Sequence, residues 1–389
     1  MANTLTNLIP TIYQSLDRVS RELVGFIPSV TRNTGAERAA IGQPITVPIT
    51  TAATAVDNTP AVTPPDVGDG TVDSVQVAIT KSKSVPIRWN GEQQLGMRNA
   101  GTYGSVLQDQ FTQALRTLVN LVEADVWAAA YQTASRAYGT AGTAPFGTDS
   151  DFSDTANLMK ILEDNGAPQD GDNHLVVGSA ATLNLRKQKL LIRANENGSA
   201  EFRHTGVISE EQLHGFWLHN SAAVAPITKG TGASYVTSGS TAVGVNQIAL
   251  VTGTGTVNAG DIVTFAADSA NKYVVNTGVS APGTIKIGPP GTLVTIPSGN
   301  ALTVGNNYTP NVGFHRSAIQ LVARPPATPL GPDGRPMDLA EDAMLVTDPY
   351  SGLTFEVSVY RQFKQLAYFV GLAWGVGVTK PNFVATLIG

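Results

Sequence analysis

The sequence predicts an α+β fold with parts that reach beyond their own core, and three observations predict it. One long helical stripe runs from Val106 to Ala137 without Gly or Pro. Before it lie two alternating strand runs, separated by a stretch with almost nothing to bury. After it, a helix–turn–strand–helix unit is followed by a long Thr/Val/Gly/Ser-rich segment of strand texture.

Composition sets the frame. With 389 residues the chain can build two or three cores, and 42% hydrophobic residues mark it as globular. Only 14% of residues are charged, about half the usual share of a soluble domain, so much of the surface is expected to lie against other protein. A net charge of −5 argues against a general nucleic-acid binder. No cysteine is present, which excludes disulfides and thiolate-held metals and suits a reducing cytosol. The N-terminal residues lack the basic, apolar and small-residue pattern of a signal peptide. Gly371, Gly375 and Gly377 interrupt the longest apolar run, Leu366 to Val378, which is too short to span a bilayer as a helix. The expectation is a soluble, cytoplasmically made protein.

Pro10 opens a helix whose apolar face is Ile12, Leu16, Val19 and Leu23, and Pro28 ends that pattern. Whether it docks on its own domain or reaches a neighbour is left open by the spacing. "ITVPIT" (45–50) and "VDSVQVAITKSKSVPI" (72–87) then predict a long hairpin around a Pro-, Ala- and Gly-rich tip. Such a projection cannot build a core of its own, so it calls for a partner. Ser105 and Gln108 form a capping-box pattern at the head of the long helix. Phe111, Leu115, Leu118, Val122 and Val126 make its stripe, widened by Val119 and Ala129. A helix from 106 to 137 would reach roughly 45 Å, longer than a compact domain needs.

Helix 154–164, strand 175–177, helix 179–191 and strand 215–219 follow, with Ser179 as an N-cap. Strand candidates then recur at 245–251, 262–265, 272–275, 284–287 and 292–296, punctuated by turn signals, and predict a small sandwich or barrel inserted into the α/β part. Beyond Ala318, Leu353, Phe355, Val357 and Val359 share one strand face, and "QLAYFVGLAWGVGV" is apolar on both faces, the mark of a central strand. Pro381 would end it.

No catalytic template is met. The five histidines, His174, His204, His214, His219 and His315, include no H-E-x-x-H helix, and each reads as a hydrogen-bonded or surface residue. "GTGTVNAG" (253–260) lacks the Lys-Ser/Thr ending of a phosphate loop and reads as a hairpin turn. Glu210-Glu211 and Glu341-Asp342 sit in ordinary polar turns, and Lys81 and Lys83 alternate on one strand face. The chain is therefore expected to have no catalytic, cofactor-binding or metal-ligating residues and to be no enzyme.

"ILEDNGAPQDGDNHLVVGSAATLNLRKQ" resembles a recurrent helix, Asn-Gly-x-Pro turn, strand, helix unit of tailed-phage major capsid proteins, and "TGVISEEQLHGFWLHNSAAV" resembles their recrossing segment around a Gly-aromatic pair, here Gly215-Phe216. The order of parts resembles the Hong Kong ninety-seven fold. "AGDIVTFA" and the ending "LAWGVGVTKPNFVATLIG" are similar to coat proteins of short-tailed phages that carry an inserted β-domain. The resemblance divides the chain into an N-terminal arm (1–43), an extended hairpin loop (44–90), a spine-helix or peripheral domain (91–150), the first part of an axial α/β domain (151–227), an inserted β-barrel-like domain (228–310) and the closing part of both domains (311–389).

What the resemblance implies is a shell subunit. Many copies would form pentamers and hexamers around double-stranded DNA, which they meet without sequence preference. A separate scaffolding protein and a portal are expected partners and no membrane is, with assembly in the host cytoplasm and the virion capsid as destination. The rival within the fold is an encapsulin-like compartment; a tail or surface β-protein is the rival from another class, and the 106–137 helix argues against it.

Overall fold

The computed structural model describes residues 9–20, 24–50, 55–58, 60, 72–193, 204–208, 212–333 and 337–389. Its organising element is the helix Tyr103–Thr133, 31 residues long, or about 46 Å. The predicted stripe is what it buries: Phe111, Leu115, Leu118, Val122 and Val126 are at most 1% exposed, and Ala130 rather than Ala129 extends the stripe. Both ends differ from expectation. The N-cap is Thr102 with no side-chain cap bond, and Ser105 Oγ merely donates to the Thr102 carbonyl at 2.9 Å. The capping box lies earlier, where Asn90 Oδ1 accepts from the Gln93 amide at 2.7 Å and Gln93 Oε1 accepts from the Asn90 amide at 3.2 Å, opening the helix Gly91–Asn99. The long helix stops at Thr133, four residues early, because the Ser135 amide donates to the Val384 carbonyl at 2.9 Å and Arg136–Gly139 becomes a strand.

The N-terminal helix, Ile9–Ser20, docks on this spine. Ile12, Leu16 and Val19 are buried there, and Ser15 Oγ donates to the Gln108 carbonyl at 3.1 Å. Leu23 lies outside the described residues. Pro28 does not end the helical pattern; it sits inside a further short helix, Phe26–Ser29.

Two sheets flank the spine. The first has six strands in the order Thr31–Thr34, Ile319–Arg324, Gln365–Val378, Thr354–Gln362 and Asp342–Thr347, with Lys81–Asn90 along the other edge of Gln365–Val378. The central strand of sequence analysis is thus central here. Leu353, Phe355, Val357 and Val359 turn inward as predicted. Indoles clamp this sheet to the spine: Trp89 Nε1 donates to Gln110 at 2.8 Å, and Trp374 Nε1 donates to Asp125 at 2.8 Å.

The second sheet has twelve strands. In the body it runs Gln212–Leu213, Phe216–Asn220, Asn173–Val177, Pro310–His315, Val384–Ile388 and Arg136–Gly139. Val384–Ile388, beyond Pro381, is an inner strand between Pro310–His315 and Arg136–Gly139. Helices Ser153–Asp164 and Ser179–Lys187 cover one face. The second helix is not continuous to Leu191: Gln188 leaves helical backbone, and Lys189–Ile192 is a separate turn. Its N-cap is Gly178, with Ser179 the first helical residue.

Through Arg136–Gly139 the sheet continues into Asp268–Thr277 and so into residues 228–310. There Gln247–Val251, Ile262–Phe265, Thr284–Ile287 and Leu302–Val304 pair antiparallel around their own core of Tyr235, Ile248, Phe265, Tyr273, Ile285 and neighbours. The expected strand at 292–296 is not one; only an isolated bridge joins Thr241 and Ile296. The chain enters and leaves side by side, with Ile227 N–H donating to the Tyr308 carbonyl at 2.9 Å and Lys229 N–H to Asn307 Oδ1 at 3.0 Å. The architecture is α+β.

Candidate functional site

The feature that stands out from the two cores is the finger. Pro44–Thr50 and Val72–Ala78 pair only with each other, in register from Pro44 opposite Ala78 to Thr50 opposite Val72. Its second strand is shorter than expected: the chain breaks at Ile79-Thr80, and Lys81–Asn90 joins the first sheet. Residues 55–58 and 60 are exposed, and the rest of the tip lies outside the described residues.

The base of the finger explains two glycines that break the long apolar strand. A Cβ on Gly375 would sit 2.1 Å from the Ala78 carbonyl oxygen, and one on Gly377 would sit 2.6 Å from Val77 Cγ2. Only bare backbone lets the finger cross the sheet this closely. The crossing buries Val77 and Ile79 with Ala39, Val322 and Ala373, while Ile45 and Val47 stay partly exposed. Pro44 and Pro48 suit an edge strand and withhold donors from it, so sideways strand addition is blunted and the faces remain for contact. Lys81 Nζ meets Asp125 of the spine at 2.6 Å, so one of the two strand lysines braces the finger's foot.

Other exposed apolar ground lies at the far end of the first sheet. Trp89, Leu95, Phe363 and Leu366 line a groove of about 760 Å³, with Phe363 88% and Leu95 61% exposed.

The titratable residues form local structural pairs. His174 Nδ1 and His219 Nε2 are 3.0 Å apart, and His174 Nε2 is 3.0 Å from Asp172. His214, exposed and at φ 47°, bonds Thr155 Oγ1 at 2.7 Å. His204 is exposed. Asp170, His315 and Ser317 come closest to a nucleophile–base–orienter chain, at 3.0 Å and 2.8 Å. Yet His315 Nδ1 also accepts the Ser317 amide, so the ring caps the short turn Arg316–Ala318 from a buried position. Among the described residues no three His, Asp or Glu side chains gather in a way that could hold a metal. Glu341 pairs with Arg361, and Glu210-Glu211 fall outside the described residues.

One charged residue escaped the sequence reading. Glu123 is 2% exposed, in the middle of the spine's apolar stripe. Its carboxyl accepts the Phe26 amide at 3.0 and 3.1 Å, the Ile27 amide at 3.2 Å and the Ser221 hydroxyl at 3.2 Å. Burial pushes its pKa up to about 7 against the pull of those donors. The available signal was a lone Glu between Val122 and Val126.

No protein-family model matches the sequence, and no curated protein matches it. Solved structures do. The capsid of cyanophage P-SCSP1u is 13% identical at a TM-score of 0.47, covering 92% of this chain and 86% of that one. The mature capsid of bacteriophage PhiM1 is 12% identical at 0.45, covering 94% and 86%. A virus-like particle from Pyrococcus furiosus is 10% identical at 0.45, covering 97% and 98%. The chain is similar in fold to these capsid and particle structures.

Proposed function

We propose that this chain is the structural subunit of a protein shell, the major capsid protein of a tailed phage. The observation that carries the reading is the finger: two paired strands that, among the described residues, rest on the body at their foot, beside a spine of 31 residues. An isolated hairpin is marginal in water, so a finger of this kind gains its order from a neighbouring copy. The low charge of 14% suits large obligate interfaces, whose cores are depleted of charge.

In this reading pentamers and hexamers close an icosahedral shell in the host cytoplasm around double-stranded DNA, touched through weak, sequence-independent contacts. A separate scaffolding protein and a portal complete the partners, and the chain performs no chemistry. Residues 228–310 act as an inserted domain between the axial parts 151–227 and 311–389, and the arm 1–43, hairpin 44–90 and spine region 91–150 make up the rest.

Negative-stain microscopy and sedimentation of the purified chain test the proposal. Closed shells support it; a monomer at every concentration and salt overturns it. Expression alone that yields only uniform, correctly sized shells removes the scaffolding protein from the scheme.

A further inference from the structure

Three elements distant in sequence meet at Glu123. The spine supplies the carboxyl group, the segment 24–29 supplies the first amides of the short helix Phe26–Ser29, and Ser221 extends from the strand Phe216–Asn220. The opening amides of a helix have no partner inside it, and here a buried side chain from another element takes them. The fit is close: a Cβ on Gly25 would lie 2.9 Å from the Asn220 carbonyl oxygen and 3.0 Å from Val176 Cγ1. Phe26 stacks on Phe314 at 6.1 Å, and Arg316 Nη2 donates to the Pro28 carbonyl at 2.8 Å. Among the described residues, the donors that reach Glu123 are the Gly25, Phe26 and Ile27 amides and the Ser221 hydroxyl, none of them charged.

We propose that Glu123 is a proton-operated latch for the N-terminal arm, closed when segment 24–29 docks over the carboxyl group and loosened when that group must hold a full charge. The inference does not depend on the shell reading. Geometry permits both states. Protonated, Glu123 still offers Oε1 to the Phe26 and Ile27 amides, and the rotatable Ser221 hydroxyl can accept from a proton on Oε2. Ionised, the carboxylate keeps its donors and is buried, and among the described residues no cation reaches it.

Linkage fixes the sign. Released into water the carboxyl has its ordinary value of 4.5, and docked it is raised to about 7, so the docked state takes up a proton from solvent. Docking is therefore firmest in acid and weakens as pH rises through 7, by on the order of tenfold to a hundredfold between pH 5 and 8.

Other titratable groups border the segment. On the second sheet these are His219, His174 and Asp172, with Arg316 beside them. On the first-sheet side they are Asp348 and Arg32. Burial holds His219 down to about 4, so it stays neutral across that window, and burial lowers His174 as well.

The test is hydrogen exchange of peptides covering residues 24–30 in the full chain, from pH 5 to 8, expressed as protection relative to intrinsic rates. The wild type should lose protection tenfold to a hundredfold on going to pH 8. Glu123→Gln should abolish the pH dependence. A flat wild-type profile overturns the latch, as does a Glu123→Gln profile that keeps its slope. Should Glu123→Gln fail to fold, a wild-type Glu123 carboxyl that shows no titration between pH 5 and 8 by side-chain carbonyl infrared or carbon NMR overturns it equally.

Discussion

The finger and residues 228–310 are both strand-rich, and they solve the same problem in opposite ways. Residues 228–310 bury thirteen hydrophobic side chains of their own, Ile248, Ile285 and Ile287 completely. Among its described residues the finger buries Val77 and little else, on residues of the first sheet. One packs largely on itself; the other packs on the first sheet. The difference shows that β-propensity alone does not say whether a projection is autonomous. What decides is whether its inward positions face one another or face a neighbour.

Substitutions can break or sharpen that contrast. Leu118→Asp should unfold the body and with it the finger that rests there, because a charge on the fully buried spine stripe costs several kcal/mol; the expected result is loss of soluble, folded protein, read by yield and circular dichroism. Ile285→Ala, at 0% exposure, should cost about 2–5 kcal/mol. Hydrogen exchange should place that loss within 228–310 and leave the finger untouched. Gly375→Ala should cost about 1–3 kcal/mol by overpacking. Its effect should appear in peptides covering 72–80, although the altered residue belongs to the opposing strand. Asn90→Ala, which removes the observed capping box, should cost about 1 kcal/mol, while Ser105→Ala should change the melting point very little.

The sequence made visible whatever depends on local period. Phe111, Leu115, Leu118, Val122 and Val126 announce the spine because a helix places them on one face. Phe355, Val357 and Val359 do the same for a strand. It hid whatever depends on contacts far along the chain. Nothing near Ala134 foretells that Val384 will capture the Ser135 amide and end the helix. Nothing near Ile79 foretells the break that lets the finger cross Gly375 and Gly377. Two capping patterns stood side by side, Asn90-x-x-Gln93 and Ser105-x-x-Gln108, and only tertiary placement selects the first. Glu123 was missed because the amides that satisfy it lie 96 and 97 residues away.

A finger-shortened chain, with residues 51–71 replaced by a two-residue turn, bears most directly on the role proposed for the finger. Its melting temperature and its sedimentation should be measured beside those of the full chain under shell-forming conditions. An unchanged melting temperature with loss of all large particles is the expected result. Shells formed as readily by the shortened chain would contradict the account.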